Sequence, residues 1–206
     1  MNNTAIIIGY SGHGFVLLDI LLANKLDVIG YCDKVYKVNN PYNLSYLGRE
    51  NDGEVLKILK KHKVFIGIGD NHIRAEIFEY LIQAEVNCPS IIYSASGISQ
   101  KAKIGLGTVI MPGVVVNSGA SIGKGTICNS SSVIEHECLI GDYVHIAPGA
   151  VLAGHVTVGD KTLIGANAVI KQGVQIGSGV TIGAGSVVIK DVKDGITVYG
   201  NPVKQK

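Results

Sequence analysis

Hydrophobic residues follow two different periods along the chain, and the period changes near residue 90. Before that point, short apolar runs alternate with segments in which apolar residues recur at helical spacing. The runs that predict strands are TAIIIG, LDVIGYCD and KVFIGIG, and the segments that predict helices are GHGFVLLDILLAN, DGEVLKILKKH and NHIRAEIFEYLIQAE. Strands that alternate with helices predict an α/β domain with a small parallel sheet over residues 1–90.

From residue 91 onward, an aliphatic residue recurs at every sixth position. Sixteen uninterrupted hexads run from Ile98 to Lys193, and the first residue of each is Ile, Val or Leu except at Cys128. The fifth residue of each hexad is small or β-branched. This repeat predicts a parallel β-helix over residues 91–206, with a C-terminal tail, in which each hexad forms one face of a triangular coil. The first residue would point into the prism, and Gly, Asn or Asp would supply turns with a positive φ.

Composition excludes several classes of function. The 206 residues contain 18 Lys+Arg and 16 Asp+Glu, and a formal net charge of +2 provides no basic field for nucleic acid. We find no signal-peptide pattern, and no apolar run approaches the ~18 residues of a membrane helix. The four cysteines lack metal-site spacing, so we expect free thiols in a reducing cytosol. We therefore expect a cytoplasmic protein that acts on neither nucleic acid nor membrane.

The motif GYSGHG, at Gly9–Gly14, joins the first predicted strand to the first predicted helix. Glycines at such a junction let backbone N–H groups approach a phosphate at the helix N-terminus. The spacing is GxxGxG rather than the GxGxxG of dinucleotide-binding domains. Asp33 ends the second predicted strand, where an acid that contacts a ribose or a base would lie. Taken alone, the motif also fits a turn that needs glycine for packing.

Charged residues interrupt the hexads at Glu135-His136-Glu137, inside the stretch SSVIEHECLIG. Charge in an apolar repeat is unfavourable unless it has a partner or a function. The triplet follows Ile134, which points inward, so it falls at an edge of the prism. A histidine there can act as a general base near neutral pH, and a carboxylate on its other ring nitrogen would fix its tautomer. Spacing does not choose between the two glutamates, and a solvated turn histidine beside two surface acids is the alternative.

Together these features resemble one family. The GYSGHG domain, the IGDNHIR segment, the hexads, SSVIEHECLIGDYVHIAPGA and the closing GNPVK are similar to the bacterial hexapeptide-repeat acetyltransferases of nucleotide-linked 4-amino sugars, and to relatives assigned as sialic acid O-acetyltransferases. The resemblance covers essentially the whole chain, with Val203 as a small departure from the usual alanine. It implies a Rossmann-like domain that binds the sugar nucleotide, a left-handed β-helix that uses acetyl-CoA, and a homotrimer.

The resemblance also implies roles for individual residues. His136 would be the general base and Glu137 its carboxylate partner. The residues expected to bind the sugar nucleotide are Ser11, Gly12, His13, Asp33, Lys34 and Gly69. The residues expected to contact acetyl-CoA are His145, Ala166 and Ala184. No metal is implied, His155 is interpreted as a surface turn residue, and Lys204 would either pair with a phosphate of CoA or remain solvated.

Four functions are compatible with these observations. The first is N-acetylation of a nucleotide-linked amino sugar in bacterial glycan biosynthesis, by direct attack without an acyl-enzyme. Cys138 is discounted as a nucleophile because the fifth residue of a hexad should be packed inside. The second is O-acetylation of a sugar such as sialic acid, which would use the same base. A trimeric zinc hydratase with His136, His145 and His155 as ligands would leave the nucleotide-type domain unexplained, and a trimeric scaffold without activity is the fourth.

Overall fold

The computed structural model describes residues 3–204, and the chain divides into two compact units with a boundary between Ile91 and Ile92. The first unit contains a four-stranded parallel sheet and three helices. The strands are β1 (Thr4–Ile8), β2 (Asp27–Cys32), β3 (Ser45–Gly48) and β4 (Lys63–Ile66), in the order β3-β2-β1-β4. The helices are α1 (Gly12–Ala23), α2 (Gly53–Leu59) and α3 (Asn71–Gln83). In the described residues, no helix has the length and apolar character needed to cross a membrane.

The strand β3 was not expected from the sequence, which predicts three strands in this unit. It lies at the edge of the sheet and is at most half-buried, so SYLG lacks the continuous apolar run that marks β1. The chain adds β2 and β3 on one side of β1 and β4 on the other side. The strand order therefore reverses between β1 and β4. In open parallel sheets, ligands bind at the carboxyl ends of the strands beside such a reversal.

The second unit is a triangular parallel β-helix built from two-residue strands. From β6 to β21, each strand pairs in parallel register with a strand 18 residues away, so one coil contains three hexads. β5 (Ile91–Ile92) lies at the unit boundary. Face 1 contains β8 (Val109–Ile110), β11 (Ile127–Cys128), β14 (His145–Ile146), β17 (Leu163–Ile164), β20 (Thr181–Ile182), β22 (Thr197–Gly200) and the antiparallel β23 (Val203–Lys204).

Within a coil, the chain passes from face 1 to face 2 and then to face 3. Face 2 contains β6 (Gly97–Ile98), β9 (Val115–Val116), β12 (Val133–Ile134), β15 (Val151–Leu152), β18 (Val169–Ile170) and β21 (Val187–Val188). Face 3 contains β7 (Lys103–Ile104), β10 (Ser121–Ile122), β13 (Leu139–Ile140), β16 (Thr157–Val158) and β19 (Gln175–Ile176). The turns between successive faces form the edges of the prism, which we call edge 1–2, edge 2–3 and edge 3–1.

The hexad positions are buried as the repeat predicts. From Ile110 to Val188, the first residue of each hexad is at most 5% exposed, and the fifth residue is equally inaccessible from Thr108 to Val192. These two positions form the interior of the prism. The outward residue of face 2 is valine in five consecutive coils, so this face carries an apolar column. The column comprises Val115, Val133, Val151, Val169 and Val187.

The fourth residue of each hexad has a positive φ from Gly107 to Gly185. Glycine fills eight of these fourteen positions, because it adopts this conformation without steric cost. The other six positions hold Ser131, Glu137, Tyr143, His155, Lys161 and Asn167. The expectation that Gly, Asn and Asp supply these turns is therefore too narrow. Asp142 instead lies at the third position, where its Oδ1 accepts a hydrogen bond from the backbone N–H of Lys124 at 2.9 Å and so joins two coils.

Candidate active site

His136 and Glu137 form a side-chain pair on edge 2–3, in the turn between β12 and β13. Nδ1 of His136 lies 3.1 Å from Oε2 of Glu137. Because the carboxylate accepts a hydrogen bond from Nδ1–H, the neutral imidazole keeps Nε2 unprotonated and able to accept a proton. The side chains are 48% and 57% exposed, respectively, so the pair is open to ligands from outside the prism.

Glu135 has a different environment from Glu137, which separates two residues that spacing left equivalent. Its Oε2 accepts hydrogen bonds from Nδ2 of Asn117 at 2.8 Å and from the backbone N–H of His136 at 3.3 Å. Asn117 is the equivalent residue of the preceding coil. Glu135 therefore links two coils, whereas Glu137 is the glutamate that contacts the imidazole.

His155 lies at the fourth hexad position of the next coil, directly beside Glu137 on the same edge. Its Nε2 is 3.1 Å from the Glu137 Oε2 that also contacts His136. The two imidazole rings meet edge to face, with centroids 5.2 Å apart. The sequence interpretation of His155 as a surface turn residue describes its position but misses this contact. The signal in the sequence was the spacing of 18 residues, one full coil, between Glu137 and His155.

The next coil also supports the ring of His136. A Cβ atom added at Gly154 would lie 2.5 Å from Nε2 of His136, so a side chain at this position would displace the imidazole. Gly154 is 18 residues after His136, and a glycine at this position could have been recognised from the coil spacing. The turn of edge 2–3 therefore holds the imidazole through both a hydrogen bond and a close backbone contact.

Cys138 is fully buried at the fifth hexad position, and its thiol donates a hydrogen bond to the carbonyl oxygen of Ala153 at 3.2 Å. Burial is the main cause that raises the pKa of this thiol above its ordinary value. A buried thiol with a raised pKa is a poor nucleophile. The geometry supports the expectation that this cysteine packs inside the prism.

The residues expected to contact acetyl-CoA lie away from the His136 edge. Ala166 and Ala184 occupy equivalent positions on edge 1–2 in consecutive coils, in the turns that follow β17 and β20. His145 lies on β14 of face 1, where its Nε2 accepts a hydrogen bond from Nδ2 of Asn129 at 3.1 Å. The backbone N–H of Ser130 donates to Oδ1 of Asn129 and so orients that amide. A neutral His145 therefore carries its proton on Nδ1.

The cluster on edge 2–3 also has the composition of a metal-binding group. One donor atom from each of His136, Glu137 and His155 lies within 4.8 Å of the others. His145 is not part of this group, so the three histidines considered for a zinc hydratase are not assembled by one chain in its described residues. The two 3.1 Å contacts at Glu137 are fully explained as hydrogen bonds from imidazole N–H groups to a carboxylate.

The first unit contains a pocket of about 270 Å³ at the carboxyl ends of its strands. The pocket lies at the reversal of strand order, because its walls include Gly9 after β1 and Gly67 after β4. Four of the six residues expected to bind the sugar nucleotide line it, namely Ser11, Asp33, Lys34 and Gly69. Gly12 lines a second pocket of about 370 Å³ that shares Ser11 and Lys37 with the first. His13 lines neither of these pockets.

Two charged pocket residues were missed by sequence reasoning. Lys37 places Nζ 3.1 Å from Oδ1 of Asp33, whose Oδ2 accepts a hydrogen bond from the backbone N–H of Tyr10 at 3.0 Å. Glu50 follows β3, so it was missed together with that strand. Lys37 is four residues after Asp33, in a segment without periodic pattern. The sequence therefore offered little to place it at the pocket.

The glycines of GYSGHG have two distinct roles. Gly9 has a φ of 90°, and a Cβ atom at Gly14 would overlap the carbonyl oxygen of Gly9, so these two glycines are required for packing. A Cβ atom at Gly12 or Gly69 would meet no atom within 4 Å. Packing therefore explains two of the three glycines in the motif and leaves Gly12 open toward solvent.

The N-terminus of α1 also differs from those of the other described helices. Asp52 and Asp70 cap α2 and α3, and each carboxylate accepts two backbone N–H groups. Ser11 is the N-cap residue of α1, and its side chain makes no capping hydrogen bond. The first turn of α1 therefore presents N–H groups without a capping side chain beside the pocket, which is the arrangement that favours anions.

Two family models and several solved structures are similar to this chain. The family model for the PglD N-terminal domain matches residues 4–81, and that for the bacterial transferase hexapeptide (six repeats) matches residues 155–190. No curated protein matches the chain. The acetyltransferase domain of PglB from Neisseria gonorrhoeae FA1090, solved in complex with acetyl coenzyme A, is 32% identical over 99% of both chains, with a TM-score of 0.92.

Two further solved structures are similar over nearly their whole length. PerB from Caulobacter crescentus, in complex with CoA and GDP-perosamine, is 30% identical over 98% of this chain and 97% of its own, with a TM-score of 0.91. WeeI from Acinetobacter baumannii AYE is 28% identical over 98% of both chains, with a TM-score of 0.85. These matches confirm the predicted fold class, a Rossmann-like domain followed by a left-handed β-helix. The chain belongs to the hexapeptide-repeat sugar acetyltransferases.

Proposed function

We propose that this chain is an N-acetyltransferase that transfers the acetyl group of acetyl-CoA to the amine of a nucleotide-linked 4-amino sugar in bacterial glycan biosynthesis. The observation that carries the proposal is the His136–Glu137 pair, because Glu137 engages Nδ1 and leaves Nε2 to accept a proton. The similar structures of PglB and PerB, which contain acetyl-CoA or CoA with GDP-perosamine, support this chemistry. The four buried, free cysteines agree with a cytoplasmic enzyme.

The proposed reaction is a direct transfer. The amine nitrogen attacks the thioester carbonyl, and Nε2 of His136 accepts the proton that the nitrogen loses. A C–N bond forms, the C–S bond breaks, and CoA leaves with its sulfur carrying the electron pair of that bond. Glu137 holds the imidazole in the required tautomer and balances the charge of the imidazolium. Cys138 takes no part, because it is buried and hydrogen-bonded.

The pocket of the first unit supports a nucleotide-linked acceptor rather than a free sugar. We assign the pyrophosphate to the N-terminus of α1, where Ser11 and Gly12 leave backbone N–H groups without a capping side chain. Lys34 and Lys37 would contribute positive charge, and Asp33 would accept hydrogen bonds from the base or the ribose. Gly69 would give the ligand room at the end of β4. His13 lines neither pocket, so its expected contact has the weakest support.

A homotrimer would complete the active site. His136 lies on edge 2–3, whereas Ala166 and Ala184, our proposed contacts for the pantetheine arm, lie on edge 1–2. A single chain separates these edges by the width of face 2. That face presents the valine column, and a partly exposed apolar patch of this kind favours association. Packing of prisms through face 2 would bring edge 2–3 of one chain near edge 1–2 of its neighbour.

The acceptor can be identified by an assay with defined substrates. We would measure CoA release from acetyl-CoA with UDP-, GDP- and dTDP-linked 4-amino sugars, with free sialic acid as the hydroxyl acceptor. We expect turnover with one amino sugar, together with loss of its primary amine. We also expect the matching nucleoside diphosphate to raise Tm. Turnover with free sialic acid alone would contradict the proposal and support O-acetylation. Zinc-dependent hydration of a substrate, without acetyl transfer, would contradict the proposal and support the zinc hydratase.

A further inference from the structure

His155 has a specific place in the candidate active site that its exposed turn position does not suggest. We propose that His155 is a positioning residue that fixes the Glu137 carboxylate and, through it, the tautomer and orientation of His136. The inference deepens the proposed function and rests on it. It adds a third member to the pair without giving His155 contact with the reacting atoms.

The geometry of Glu137 supports this assignment. One carboxylate oxygen, Oε2, lies 3.1 Å from Nδ1 of His136 and 3.1 Å from Nε2 of His155. The side chain of a glutamate has three rotatable bonds, and this one is 57% exposed, so a single hydrogen bond would leave it several conformations. Two N–H donors, from His136 and His155, restrict Oε2 more than one donor would. A carboxylate oxygen has two lone pairs, so Oε2 can accept both N–H groups at once.

The backbone conformation of His155 provides a second argument for the positioning role. Its φ is 58°, a conformation that is unfavourable for histidine and favourable for glycine. The equivalent positions in the coils on either side of the pair are glycine, at Gly119 and Gly173. The side chain of His155 is 52% exposed and therefore adds little to the packing of the prism. A strained, exposed residue in contact with the proposed catalytic pair indicates a functional constraint.

Because glycine is the preferred residue here, the test can remove the side chain without harming the fold. We would compare His155→Gly with His155→Gln, whose amide N–H reaches about as far as Nε2 of histidine and keeps the donor. Lys161→Gly is the matched control, because Lys161 has a φ of 56° at the same hexad position on edge 3–1. Both glycine variants should keep or raise Tm, since each relieves a left-handed residue.

The kinetic expectation separates a positioning role from a structural one. His155→Gly should lower kcat for the cognate amino sugar about threefold, which is less than the loss on removing Glu137 itself, because His155 acts only through an exposed contact with that carboxylate. KM for acetyl-CoA should not change, His155→Gln should recover most of kcat, and Lys161→Gly should retain wild-type kcat. Wild-type kcat in His155→Gly, or a His155→Gln enzyme as slow as His155→Gly, would overturn the proposal.

A second readout does not depend on turnover. In ¹⁵N-histidine-labelled protein, the neutral His136 ring should be in the Nδ1–H form, with its signals assigned by their loss in His136→Gln. His155→Gly should shift that ring toward the Nε2–H form, and Lys161→Gly should not. If the wild type shows no acetyl transfer but this shift occurs, the proposed function fails while the role of His155 stands. An unchanged tautomer, or stoichiometric zinc bound through His155, would exclude the role proposed here.

Discussion

Removal of the imidazole at position 136 is the most direct test of the proposed chemistry. His136→Ala removes the group that accepts the amine proton, while Glu137 and the coil on either side keep their backbone positions. General base catalysis contributes about 10²–10⁴ in rate, so kcat should fall by that factor, which corresponds to about 2.7–5.5 kcal/mol. KM for acetyl-CoA should change little, because the proposed donor contacts lie on edge 1–2 and on β14.

The effect of Glu137 can be estimated from its contact with the imidazole. The hydrogen bond is 3.1 Å long, and both partners are about half exposed, so its contribution is close to that of an exposed ion pair. Such pairs contribute up to about 1 kcal/mol. Glu137→Ala should therefore lower kcat about fivefold, since 1.4 kcal/mol corresponds to a factor of ten. The double variant should be no slower than His136→Ala, because residues that act as a unit are not additive.

Glu135 provides the matched control for this series. It carries the same charge two residues away, but its carboxylate contacts Asn117 and a backbone N–H rather than the ring. Glu135→Ala should stay within about twofold of wild-type kcat, a change below 0.5 kcal/mol. Steady-state kinetics with the cognate amino sugar, with Tm measured for every variant, decides the series. Near-normal kcat in His136→Ala, or a Glu135→Ala enzyme slower than Glu137→Ala, would refute the assignment.

Three further predictions follow from the two units. Light scattering should show a trimer. Val151→Glu places a charge in the valine column and should give inactive monomers. An active wild-type monomer would contradict the trimer prediction. Cys138→Ala should keep full kcat, and iodoacetamide at pH 8 should not inactivate the enzyme, because burial raises the pKa of the thiol and lowers its thiolate fraction. Gly12→Val should weaken nucleoside diphosphate binding at least tenfold with little change in Tm. Gly14→Ala should instead lower Tm, because its Cβ overlaps Gly9. A Gly12→Val protein that loses binding and stability equally would exclude a ligand role for Gly12.

The prism could be predicted almost completely, because one periodic constraint governs it. An aliphatic residue at every sixth position is required for burial, and the period leaves no alternative register over sixteen hexads. The α/β unit was predicted less completely. Its buried strands have continuous apolar runs, but β3 lies at the sheet edge and is specified mainly by its pairing with β2. Edge strands have one pairing partner and little burial, so their sequences carry a weak signal.

The candidate site was predictable wherever coil spacing fixes a neighbour. Residues 18 positions apart stack on the same edge, which is how Glu137 meets His155 and how the ring of His136 meets Gly154. The choice between the two glutamates required side-chain geometry, because both flank the histidine in sequence. The pocket residue Glu50 could not be found without β3. Tertiary contacts between non-periodic segments are the part that the sequence pattern does not encode.

The left-handed turn positions give an argument for the site that is independent of any resemblance. A non-glycine residue in this conformation is disfavoured by roughly 1–2 kcal/mol, so such a residue needs an explanation where its side chain also makes specific contacts. Tyr143 has a packing reason, because it is buried and its ring covers Gly125 of the preceding coil. Glu137 and His155 are both more than half exposed, and their side chains contact each other and His136. Two adjacent strained residues that bury little and meet at one imidazole are best explained by the chemistry of that imidazole.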